Sequence, residues 1–76
     1  MDINASAEDI RPRDLLEPAE LAALLHVSTK TLRNWRSLRK GPTPTKFGSK
    51  ARYLGQDVID WIEAERKRQA REWMAS

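Results

Sequence analysis

The chain has 76 residues, no cysteine and a formal net charge of +3, which suits one small domain without a disulfide staple or a thiolate metal site. One histidine and no spaced cluster of His, Asp and Glu leave no metal site and no catalytic triad, so neither an enzyme nor a cofactor is expected. The N-terminus has no apolar leader and no run approaches the roughly 18 apolar residues of a membrane span, so a cytoplasmic protein with no membrane association is expected.

Residues 1–14 are polar, acidic and interrupted by Pro12, and read as a flexible acidic N-terminal arm. The folded domain is expected over residues 15–65. Its first helix opens at Pro18, a residue preorganised for the first helical position. Leu16 and Leu21 stand at the spacing of a hydrophobic staple, and Glu20 can supply the reaching-back half of a capping box. Leu21, Ala22, Leu24 and Leu25 form its apolar stripe.

Ser28 is a good N-cap for a second helix starting at Thr29. Val27, Leu32, Trp35 and Leu38 share one face of it, while Thr29, Lys30, Arg33, Asn34 and Ser37 share the other, with Arg36 at the edge. Gly41 and Pro42 are expected to end it. Only His26, Val27 and Ser28 separate the helices, the connection length of a helix-turn-helix. His26 stands where a left-handed backbone is needed, a conformation in which histidine is enriched among residues other than glycine.

Two short alternating runs follow, Thr45-Lys46-Phe47 and Ala51-Arg52-Tyr53, around a three-residue loop Gly48-Ser49-Lys50. That alternation predicts Phe47, Ala51 and Tyr53 inward, and Lys46 and Arg52 outward. A last helix begins at Gly55 or Gln56, with Asp57 favoured by the dipole in its first turn. Val58, Trp61 and Ile62 give its buried stripe, and Trp35 and Trp61 are both assigned to the core rather than to base stacking. Residues 66–76 extend this helix as a charged segment, where Arg66, Arg68, Arg71, Trp73 and Met74 are a candidate partner surface. The fold class is mainly α with a small β-hairpin: a winged helix-turn-helix.

The charge is sharply divided along this plan. Between His26 and Leu54 stand eight bases (Lys30, Arg33, Arg36, Arg39, Lys40, Lys46, Lys50 and Arg52) and no carboxylate. The flanking segments carry −4 before it and −1 after it. A one-signed stretch of this kind attracts a polyanion, and double-stranded DNA is the expected partner.

The chain resembles the winged-helix modules of the excisionase family, or recombination directionality factors, which are relatives of MerR-type DNA-binding domains. The matching residues run from Leu15-Leu16-Glu17-Pro18 through Leu25, then Val27-Ser28, Thr31-Leu32, Trp35-Arg36, Pro42, Pro44, Lys46, Gly48, Arg52-Tyr53, Asp57-Val58 and Trp61-Ile62. Three departures stand out: His26 in place of a turn glycine, Glu17 in place of a Ser or Thr cap, and Gly55-Gln56 in place of a Ser-type cap.

The resemblance implies that the second helix enters the major groove while the wing approaches the adjacent minor groove. On that reading Lys30 and Arg33 suit guanine, Asn34 suits adenine, and Ser28 and Thr29 suit a phosphate at the helix N-terminus. Arg36, Arg39 and Lys40 suit backbone phosphates, and Lys46, Ser49, Lys50 and Arg52 suit a wing that senses groove width and charge. The implied role is architectural: cooperative, head-to-tail binding at tandem sites of an attachment region, DNA bending, and bias of an integrase toward excision. A sequence-specific transcriptional regulator of a phage or mobile element is the alternative, and an adaptor for an acidic protein is a third reading.

Overall fold

In the computed structural model, which describes residues 10–75, the chain runs β1 (Leu15–Leu16), α1 (Pro18–Leu25), α2 (Thr29–Ser37), β2 (Thr45–Phe47), β3 (Lys50–Leu54) and α3 (Gly55–Ala75). The three strands form one antiparallel sheet in the order β1-β3-β2. The expected two-stranded wing is therefore part of a three-stranded sheet. Strand β1 has two residues, too few for alternation to reveal it.

The core lies where α1, α2 and the start of α3 meet the inner face of β3. Leu21, Leu32, Tyr53 and Val58 are fully buried there, with Ile10, Leu16 and Ala22 around them. Burying each of the large aliphatic side chains contributes about 1.5–3 kcal/mol, which matters in a domain this small. Trp35 is half-buried against this core, and its ring centroid stands 5.6 Å from that of Trp61 at a tilt of 44°. Leu38, expected on the same apolar face, is 64 % exposed instead.

Helix α1 has the expected bounds, and the Glu17 backbone N–H donates to the Glu20 carboxylate at 2.9 Å. His26 closes it in the left-handed conformation (φ 58°, ψ 40°). Its N–H donates to the Ala23 carbonyl and that of Val27 to the Ala22 carbonyl, the paired bonds of a Schellman motif. Ser28 caps α2, its hydroxyl accepting from the Thr31 N–H at 3.0 Å.

Helix α2 ends earlier than the glycine and proline suggest. Arg39 takes the left-handed conformation (φ 58°), and the N–H groups of Arg39 and Lys40 donate to the carbonyls of Arg36 and Trp35 in a second Schellman motif. Gly41 (φ +76°) serves another purpose: a Cβ there would stand 2.9 Å from Cε3 of Trp35, so the chain passes directly beneath that ring.

The N-terminal segment also differs from expectation. Residues 1–9 of the proposed arm lie outside the described residues, but residues 10–14 are packed. Ile10 is 7 % exposed in the core, and a turn links the Arg11 N–H to the Asp14 carboxylate at 2.9 Å. The Asp14 and Pro12 carbonyls accept from the N–H groups of Gly55 and Gln56 at 2.7 and 3.0 Å. These carbonyls satisfy the open end of α3, which is why it tolerates the absence of a Ser-type cap.

The wing differs in loop length. Phe47 pairs with Lys50, Lys46 with Ala51 and Thr45 with Arg52, leaving a two-residue loop, Gly48-Ser49. Gly48 has φ +65° at the first loop position, as a type II′ turn requires. Lys50 therefore belongs to β3 rather than to the loop. Because side chains alternate across a strand, one residue less in the loop inverts the face of all of β2. Ala51 and Tyr53 are inward as predicted, but Lys46 shares their side and Phe47 lies with Lys50 and Arg52 on the outer face, 55 % exposed.

Helix α3 continues without a break through the expected extension to Ala75, about 31 Å at the usual rise. Ion pairs join Arg66 to Glu63 at 3.2 Å, and Arg68 to Glu65 at 2.7 Å and Glu72 at 2.8 Å. The hydrogen bonds from Arg68 and Gln69 hold the Glu65 carboxyl below its ordinary pKa. No described helix is long and apolar enough to cross a membrane.

Candidate nucleic-acid interface

One face of α2 is open. Ser28, Thr29, Lys30, Arg33, Asn34, Arg36 and Ser37 are all exposed, because Leu32 and Trp35 turn the opposite face onto the core. This surface carries three cations and an amide in two and a half turns. Among the described residues none of the eight bases between His26 and Leu54 is ion-paired, every salt bridge lying in α3 beyond Ile62. Their charge is not neutralised by any described carboxylate, which gives this part of the surface a positive field.

The individual placements divide by chemistry. The Ser28 hydroxyl accepts from the Thr31 N–H and donates to the Thr31 hydroxyl at 2.9 Å, so the side chain is engaged in the cap. Lys30, Arg33 and Asn34 lie on the open face, their side chains without a hydrogen bond to any other described residue, and their donors and acceptors are of the kind that suits base edges. Arg36 lies close enough to Tyr53 for its charge to be felt there. Burial pushes the Tyr53 phenol above its ordinary pKa, and Arg36 offsets part of that rise.

Helix and wing are brought together rather than left as separate basic regions. Arg36 from the end of α2, Arg39 from the turn that follows it, Pro44 from the connection, and Lys46, Ser49 and Ala51 from the hairpin line one cleft of about 560 Å³. Lys46 reaches this cleft because of the inverted parity of β2. Arg39 and Lys40 also border a neighbouring hollow with Trp35 and Trp61. Arg52 is half-buried, and its guanidinium donates to the Ala51 carbonyl at 2.9 Å, so its charge is steadied along the sheet.

The candidate partner residues stand apart from this cleft, except that Arg68 borders the hollow of Arg39 and Lys40. Arg66, Arg68, Arg71, Trp73 and Met74 are exposed on the distal part of α3, with Arg66 and Arg68 engaged in the ion pairs described above. Sequence reasoning missed two residues of the basic region's surroundings: Phe47, through the loop length, and the left-handed Arg39, since arginine gives no sign of that conformation.

Three helices, a capped second helix presenting an open cationic face, and a hairpin beside it define a winged helix-turn-helix module, a DNA-binding class that is typically non-enzymatic. Residues 15–66, more than half of the chain, match the helix-turn-helix domain family, and the protein belongs to it. No curated protein and no solved structure matches the chain.

Proposed function

We propose that this helix-turn-helix domain is an architectural DNA-binding factor of a mobile element, one that binds tandem sites, bends the duplex and directs an integrase toward excision. The observation carrying this reading is the exposed cationic face of α2 beside the basic wing, without ion pairs among the described residues, with Arg36, Arg39 and Lys46 meeting at one cleft. Lys30, Arg33 and Asn34 read bases in the major groove, Thr29 and the open N–H groups around Ser28 hold a phosphate, and Arg36, Arg39 and Lys40 hold the backbone. Lys46, Ser49, Lys50 and Arg52 follow the adjacent minor groove.

A single module of this size buries about 600–1,000 Å² on DNA, so copies on neighbouring sites gain by supporting one another. Contacts between successive copies are head-to-tail, which builds a short filament rather than a closed ring. The exposed residues Arg66, Arg68, Arg71, Trp73 and Met74 of α3 are the surface offered to the integrase.

The test is a purified recombination reaction with any integrase found encoded near this gene. Adding the protein is expected to raise excision and leave integration unchanged or lower. If excision is unmoved while a nearby promoter changes its output, the transcriptional-regulator reading replaces this one.

A further inference from the structure

From the position of Phe47 we infer that it is an apolar wedge, entering the minor groove with the wing and forcing the duplex to bend. This inference rests on the DNA-binding reading above and adds a residue and a physical action to it.

Phe47 is 55 % exposed in a small domain that has every reason to bury an aromatic ring. It is the last residue of β2, next to the narrow Gly48-Ser49 tip, and it pairs across the ladder with Lys50. Neither tip residue has a bulky side chain, so Phe47 is the largest apolar group near the leading end of the wing. The other exposed apolar residues of the same sheet face, Leu15 and Leu54, pair with each other at its far end. Leu54 lies four residue steps along β3 from Lys50, about 13 Å at the rise of a strand. The intervening row is Thr45 opposite Arg52, so Phe47 stands in cationic rather than apolar company.

That company identifies the occupant. A ring flanked by Lys50 and Arg52, on a segment with no carboxylate from His26 to Leu54, repels a basic partner and suits a polyanion with an apolar interior. The minor groove of DNA has phosphate rims and stacked bases within reach. Side chains such as Phe, inserted at a base step, unstack it and kink the helix by about 20–90°. Lys50 and Arg52 hold the rims while Phe47 parts the step between them.

The experiment uses a duplex of about three helical turns, selected by the protein from a randomised pool and carrying a dye at each end. Wild type, Phe47→Ala and Phe47→Leu are compared for affinity and end-to-end energy transfer. Each is measured on the intact duplex and on one with a nick or two-base mismatch at the wing's step. Wild type is expected to bend the intact site and to bind the pre-weakened one roughly tenfold tighter, because its unstacking cost of a few kcal/mol is reduced. Phe47→Ala should lose the bend and bind both duplexes within about twofold, and Phe47→Leu, which keeps a wedge, should retain the bend. Circular dichroism melts verify that both variants remain folded.

An unchanged bend in Phe47→Ala overturns the inference while leaving DNA binding intact. So does loss of cooperative loading at tandem sites with the single-site bend preserved, since Phe47 would then be a protein contact. If wild type fails to bind any duplex in low salt, the DNA-binding reading itself falls, and the wedge with it.

Discussion

Gly55 lies so close to the Arg11 carbonyl that a Cβ at this position would overlap the oxygen. This approach seats the 10–14 segment over the first turn of α3, where the Pro12 and Asp14 carbonyls receive the N–H groups of Gln56 and Gly55. It also holds Ile10 in the core cluster to which Val58 belongs.

Gly55→Ala is therefore expected to expel the N-terminal segment from its seat. The obstacle is backbone, which cannot rotate aside as a side chain does. Overpacking of this kind costs about 1–3 kcal/mol, and detachment of Ile10 adds to it. Urea unfolding should show the loss, and amide exchange at Gly55 and Gln56 should accelerate. Unaltered stability would mean that the segment contributes nothing to the fold.

The two left-handed residues lead to a paired prediction. A non-glycine residue in that conformation costs roughly 1–2 kcal/mol, of which glycine's greater freedom in the unfolded chain returns about half. His26→Gly and Arg39→Gly should each stabilise the domain by about 0.5–1 kcal/mol, seen as a higher melting temperature. Their effects on DNA should part: His26→Gly leaves affinity unchanged, while Arg39→Gly weakens it by removing a cation from the cleft between helix and wing. Equal affinity for both variants would remove Arg39 from the proposed interface.

Most of the helical plan was legible because its signals are local. Pro18 set the start of α1, Ser28 capped α2, and His26 turned left-handed at the junction, each as its chemistry predicts. The open face of α2 followed from periodicity. The signals that failed were non-local or depended on a single residue of register. The pairing of Leu15 with Leu54 and the carbonyl caps on α3 bring together residues about forty apart in sequence, which no short window reveals. Loop length decided the face of Phe47 and Lys46, and a Gly-Ser-Lys stretch suits a two- or a three-residue turn. The run of bases was readable in the sequence, but the cleft that brings Arg36 and Arg39 to Lys46 became visible only in three dimensions.

Tyr53 makes stability depend on alkaline pH. Burial raises its phenol pKa in the folded protein, with Arg36 opposing in part, above the ordinary value of 10.0. Below the unfolded value both states keep the proton and the full stability is present. Above it the unfolded chain ionises first, so stability falls as pH rises through the folded pKa. As this is the only tyrosine, tyrosinate absorbance reports its ionisation directly. Tyr53→Phe should remove this alkaline component; an identical decline in that variant would assign it to the lysines.

Base readout and phosphate holding should separate at single positions. Arg33→Ala is expected to cost about 1–3 kcal/mol on the preferred site and to relax base choice there. Lys50→Ala should weaken all sequences alike and reduce the salt slope by about one. Competition binding against a panel of single-base variants makes the comparison. A change in base preference with Lys50→Ala would move the reading head from α2 to the wing.

The salt dependence of duplex affinity tests the central claim most directly. With the unpaired bases of α2 and the wing against phosphates, log affinity should fall linearly with log salt, at a slope of about −0.9 for each phosphate neutralised. Charge removal on that surface should flatten the line, and charge removal at Arg66 or Arg71 should not. A slope near zero, or no duplex binding even in low salt, would contradict the account and favour an acidic protein as the partner.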